Sequence, residues 1–171
     1  MTEQDRALLL SVRPHFAEKI ITGAKSAEIR RQRLGVQPGT PVVIYATLPT
    51  AALIGTAQIA AVSSGRPAEL WAVHHDQVGL SREEYDSYLE GASVAYILTL
   101  TDARRLHAPL TLSHLRAAAD FQPPRSFQYL TRDRLHELVD GHPGGGPLLD
   151  LIPSDQSAED SLFPVLCTNI S

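Results

Sequence analysis

The strongest chemical signal in the chain is Gly23-Ala24-Lys25-Ser26-Ala27-Glu28-Ile29-Arg30. Gly23 suits a helix C-terminus, and Lys25 follows it closely. The alternation over 25–31 then puts Glu28 and Arg30 on one side of a strand, with Ala27 and Ile29 on the other. Lys25 sits at the turn rather than in the pleat, so it can swing toward the other two and complete a compact Lys–Glu–Arg cluster. As a base that activates water, Lys25 needs a depressed pKa, from burial or from a neighbouring cation such as Arg30. Glu28 acts in the opposite sense and keeps the amine charged. A charged lysine suits phosphate or carbonyl binding, so binding ranks above catalysis. The plain alternative is a surface ion pair, worth ~0–1 kcal/mol.

Other residues extend the binding reading. Arg13, Arg30, Arg31 and Arg33 can hold backbone phosphates, and Tyr45 or Tyr129 can stack on a base. The alternatives are a core aromatic at Tyr45 and a solvated loop at Arg31 and Arg33. His74-His75-Asp76 has metal-ligand chemistry, but adjacent helical side chains diverge and no third ligand stands at a suitable spacing. No metal or other cofactor is expected. Ser11, Ser26 and Ser126 lack the Gly-x-Ser-x-Gly context of a serine nucleophile. Cys167 is the only cysteine, which rules out an internal disulfide and a cysteine-built metal site.

The positioning elements follow from pattern. Ala7–Val12 reads as a buried strand, and a helix begins at Pro14, with Phe16, Ala17, Ile20 and Ile21 on one face. Residues 32–40 form a loop. Pro41–Thr47 and Leu53–Val62 are strands, the second containing Gly55 as a bulge or close approach. Helices follow over Pro67–His75 and from the capping-box residues Ser81-Arg82-Glu83-Glu84 to Leu89. Ser93–Leu100 is the last long strand. Thr111–Ala119 is a helix, Ser126–Leu130 a closing strand and Arg132–Asp140 a further helix. His142–Pro147 has the composition of a linker. The pattern predicts an α+β fold, a small mixed sheet curled around one core. No Gly-rich nucleotide loop is present.

At 171 residues with 43% hydrophobic content, the chain can build one sizeable core plus an appendage. No run approaches the roughly 20 apolar residues of a membrane helix, and Ala7–Leu10 is too short for a signal peptide. A cytoplasmic setting is the expectation. The net charge of −4 argues against indiscriminate phosphate binding. Its distribution is uneven: all 15 Lys and Arg lie at or before Arg134, and residues 135–171 hold six acids and no Lys or Arg. We therefore expect a domain over 1–134 and an acidic helix and extension over 135–171, which either packs back or moves freely.

The pattern Leu10-Ser11-x-x-Pro14-x-Phe16-Ala17-x-x-Ile20-x-x-Gly23-x-Lys25-x-x-Glu28-x-Arg30 resembles the ASCH domain of the PUA-like superfamily. The likeness continues through Ile44-Tyr45-x-Thr47-x-Pro49 and Ile54-Gly55 to Pro123-Pro124-x-Ser126-Phe127-x-Tyr129. It implies a curved β-barrel of mixed strands with short flanking helices, and a cleft lined by the Gly-x-Lys-x-x-Glu-x-Arg strand. The function implied is binding of RNA or a nucleotide, with DNA as a further candidate ligand. Some small members hydrolyse N4-acetylcytidine and a ribonuclease activity occurs in the family, so an amidohydrolase or ribonuclease is the alternative. A regulatory protein-interaction module is a third reading. Carried over by motif, the catalytic set is Lys25, Glu28 (where those deacetylases have threonine) and Asp76. The ligand-binding set is Arg13, Lys25, Glu28, Arg30, Tyr45, Thr47, Ser126 and Tyr129.

Overall fold

The computed structural model describes residues 5–153. Its elements are β1 (Arg6–Val12), α1 (Pro14–Thr22), β2 (Ala27–Arg30), β3 (Pro41–Ala46), β4 (Ala52–Gly65), α2 (Pro67–His74), α3 (Arg82–Tyr88), β5 (Ala95–Thr111), α4 (Leu112–Ala118), β6 (Phe127–Thr131), α5 (Arg132–Val139) and α6 (Gly145–Leu149). The local signals hold where they are strongest. Pro14 opens α1, Gly23 ends it at φ 84°, and Ser81 with Glu84 forms the capping box of α3.

The sheet runs β2-β5-β4-β3-β1-β6, with β1 parallel to β3 and every other pairing antiparallel. Among the described residues no ladder joins β6 to β2, so backbone pairing does not close the expected barrel. Both sheet faces are covered, which explains the nearly continuous apolar run of β1. Leu8, Leu10 and Val12 face the cluster under α1, with Ile20, Val42 and Ile44. Ala7 and Leu9 face a second cluster with Val43, Tyr45 and Phe121. A third, smaller core sets Ala27 and Ile29 of β2 against Leu70, Tyr85 and Leu89.

β5 is much longer than the sequence pattern predicts. It continues beyond Leu100 through Asp102, at φ 52°, with register shifts against β4. These irregularities break the strict alternation that marks a strand in sequence, yet the second half still buries Leu106 and Leu110 in the core. No helix among the described residues is long and apolar enough to cross a membrane.

The first part of the acidic segment packs back. Leu135, Leu138, Val139, Leu148 and Ile152 join the core that holds Phe121. The apolar run Leu162–Leu166 and Cys167 lie outside the described residues. At the turn before α6 the Gly144 N–H donates to Nδ1 of His142 at 3.0 Å, and the His114 ring stands edge-on at 4.6 Å. A Cβ on Gly144 would overlap the Ala108 carbonyl, so this turn requires glycine. Burial, reinforced by His114 and His107, holds His142 below its ordinary pKa of 6.5. The folded state thus binds fewer protons than the unfolded one. This contribution to stability is complete above pH 6.5 and is lost as pH falls through the lowered folded value. We expect the amides of 144–149 to lose hydrogen-exchange protection between pH 7 and pH 5. His142→Asn, which keeps an acceptor without a titration, should show no such dependence.

Candidate functional site

Local structure delivers Lys25, Glu28 and Arg30 to one place. After the left-handed turn at Gly23, the Lys25 N–H donates to the Lys19 carbonyl at 2.9 Å. Ser26 and Ala27 both donate to the Gln77 carbonyl at 3.0 Å. The Lys25 ammonium then donates to the carbonyls of Ala27, at 2.9 Å, and Val78, and pairs with Glu28 Oε2 at 3.3 Å. Lys19 donates to the Gly79 carbonyl at 3.0 Å, so the only two lysines of the chain both clamp the 77–79 segment. Gly79 has φ 66°, and a Cβ there would lie 3.0 Å from Lys25 Cβ. Glycine is needed on both counts.

Glu28 Oε1 pairs with Arg30 Nη2 at 2.9 Å. From there the guanidinium reaches across the opening in the sheet. Arg30 Nη1 donates to Ser126 Oγ at 2.8 Å and to the Ser126 carbonyl at 3.3 Å, and Nη2 donates to the Ser11 carbonyl at 3.3 Å. Ser11 in turn donates its hydroxyl to the Pro124 carbonyl at 2.7 Å. Arg30 on one edge strand is thus tied to the lead-in of the other edge strand, where no backbone ladder exists. The Gly-x-Lys-x-x-Glu-x-Arg and Pro-Pro-x-Ser segments, nearly a hundred residues apart, meet through this one side chain.

The cluster is enclosed: Lys25, Glu28 and Arg30 are 2%, 8% and 7% exposed, far from the surface ion pair that composition allows. It holds two cations and one carboxylate, and Arg30 Nε is buried with no partner. Burial pulls the Lys25 pKa below its ordinary value, and Glu28 opposes this but does not prevail. That reverses the weighting expected from sequence, where the carboxylate was to dominate. Arg30 and Lys19 add to the lowering. Three acceptors surround Nζ, one for each hydrogen of an ammonium, so Lys25 is built into the wall. Arg30 is the group with a donor to spare.

The remaining sequence candidates are scattered. Arg13 is exposed at the start of α1. Tyr45 is 3% exposed and packs near Phe121, so it presents no face for a base. Thr47, just past β3, donates its N–H to the Val12 carbonyl. Tyr129 lies under Arg6, whose guanidinium carbon is 3.8 Å from the ring centre. Asp76 is exposed after α2, and the carboxylate beside Lys25 is Glu28 instead. A cavity of about 250 Å³ touches Lys25, with Thr22, Gly23, Ser26, Thr101 and Asp102, but neither Glu28 nor Arg30 lines it. Sequence reasoning missed Tyr88. It is 42% exposed at the end of α3 and close enough to Arg30 and Glu28 to feel both charges, while burial raises its own pKa. The available signal was the i, i+3 spacing of Tyr88 from the core residue Tyr85 on α3.

A family described as a domain of unknown function, DUF365, matches residues 6–119. The ASCH domain-containing ribonuclease of Zymomonas mobilis subsp. mobilis is 33% identical over 132 residues, covering 77% of this chain and 88% of the relative. The chain belongs to the ASCH-domain family. The crystal structure of ASCH from Zymomonas mobilis matches with a TM-score of 0.74 at 31% identity, covering 80% of this chain and 94% of that one. The chain is also similar to the large ribosomal subunit protein uL22 of Ureaplasma parvum, 26% identical over 128 residues. That match covers 75% of this chain and 40% of the relative. In this ASCH chain, Lys25, Glu28, Arg30 and Ser126 form one hydrogen-bonded unit.

Proposed function

We propose that this ASCH domain binds RNA through the mouth of the Arg30 cluster, at the opening between the two edges of its curved, barrel-like sheet. The observation that carries the reading is the enclosed pair of cations around one carboxylate, with a guanidinium donor unpartnered. An excess positive charge in a low-dielectric site favours an anion, and a planar guanidinium suits a phosphate. Tyr88, 42% exposed at the end of α3 and joined through its carbonyl to Arg31, supplies an aromatic face for a base near that phosphate. The ribonuclease name of the Zymomonas relative supports RNA over other anions.

Titration of the full chain with a labelled single-stranded RNA at 50 and 200 mM salt tests this. We expect binding that weakens with salt, a loss of at least tenfold in Arg30→Lys and a smaller loss in Tyr88→Ala. Absence of binding at 50 mM salt refutes the proposal. The relative's name also motivates a second reading, cleavage of the bound strand with Glu28 as the carboxylate nearest the phosphate. The same RNA on a gel decides it: products that vanish in Glu28→Gln support cleavage. Products that persist in both Glu28→Gln and Arg30→Lys come from a contaminant.

A further inference from the structure

The opening between β2 and β6 is covered by the loop that follows β2. Leu34 is buried with Leu8, Leu10, Phe127 and Tyr129. Gly35 donates its N–H to the Tyr129 hydroxyl at 3.0 Å, and its carbonyl accepts from Arg6 Nη2 at 3.1 Å. The loop is therefore pinned at one end by Arg30 on Ser126 and at the other by Gly35 on Tyr129 and Arg6. Gln32 and Arg33 between these points are exposed, while Arg31 turns to the end of α3 and donates to the Tyr88 and Glu90 carbonyls. Arg125, next to Ser126, is exposed at its upper end. At the lower end a hollow of about 280 Å³ is lined by Arg6, Gly35, Gln37, Gly39 and Thr40.

The charge of these segments is one-sided. Residues 6–13, 30–41 and 121–132 carry Arg6, Arg13, Arg30, Arg31, Arg33, Arg125 and Arg132, and not one Asp or Glu. The acids nearest in sequence, Asp5, Glu28, Asp120 and Asp133, flank them, and Glu28 pairs with Arg30. In a chain of net charge −4 this concentrates positive charge in the segments that border the seam.

We infer that the seam is an extended phosphate track, along which an RNA strand held at Arg30 continues over Arg33 toward the Arg6–Tyr129 hollow. The inference rests on the RNA reading of the Arg30 site and adds where the rest of the strand lies. β1, which runs beside the seam strand β6, has seven residues from Arg6 to Val12 and so measures roughly 20 Å. That accommodates about four nucleotides, the lower end of single-strand grooves.

The test compares a dinucleotide with an octanucleotide RNA on the full chain, by fluorescence anisotropy across 50–200 mM salt. We expect the octamer to bind at least tenfold more tightly than the dimer. The double variant Arg33→Gln/Arg125→Gln, both on exposed side chains, should lose most of that gain and leave dinucleotide affinity unchanged. Its slope of log affinity against log salt should fall by about 1.4, two contacts at about 0.7 each for a single strand. Equal affinity for both lengths in the unmodified protein, or an unchanged slope in the variant, overturns the track while leaving the Arg30 site standing. If neither RNA binds, both readings fall together.

Discussion

Glu28→Ala is expected to lower the unfolding free energy by about 3–5 kcal/mol, the cost of breaking a buried ion pair by removing one partner. Glu28 separates Lys25 and Arg30 at 3.3 and 2.9 Å, and all three residues are nearly inaccessible. Without the carboxylate, two cations face each other with no counter-charge. Adding Lys25→Met removes one of them, so the double variant should recover part of the loss even though a second native side chain has gone. Urea unfolding of the unmodified protein, both single variants and the double variant measures this. A double variant less stable than Glu28→Ala by the full cost of Lys25→Met alone would show that the charges act independently, against the geometry.

Arg30→Leu should cost a similar amount, about 3–5 kcal/mol, but its damage should appear elsewhere. Leucine fills much of the space and removes every donor, so Ser126 Oγ and the Ser11 carbonyl lose a partner and Glu28 keeps only Lys25. Because Arg30 is the tie across the sheet opening, hydrogen exchange should accelerate at Phe127–Thr131, the edge strand it holds. Glu28→Ala should instead loosen the Gln77–Gly79 segment clamped through Lys25. Arg30→Lys should restore part of the stability but little of the RNA affinity, since an ammonium cannot span two edges and a phosphate at once. Identical exchange patterns in the two variants would show that the cluster has no direction.

The local chemistry of the site could be read without coordinates. Gly23 as a left-handed stop, the alternation of Glu28 and Arg30, and a lysine at the turn are properties of neighbouring residues, and short-range geometry settles them. The same holds for β1, α1, β3 and the capping box of α3. Asp102 shows where this fails. Its positive φ and the register shifts around it hide the second half of β5, because a bulged strand loses the period of two by which it is recognised.

Long-range consequences belonged to the fold. The identity of Lys25, Glu28 and Arg30 fixed which groups could pair, but not whether water reached them. Burial is a sum over distant segments: Val78 and its neighbours enclose Lys25, whose pKa burial lowers against the pull of Glu28, and Ser11 and Ser126 hold Arg30. The same packing withdrew Tyr45 into the core and brought the end of α3, with Tyr88, against Arg31. The amino-acid order by itself determined a family, a set of strands and helices, and a triad of charges. Only the tertiary structure decided that the triad is enclosed and that one guanidinium bridges a sheet its backbone leaves open, because each depends on distances between residues far apart in the chain.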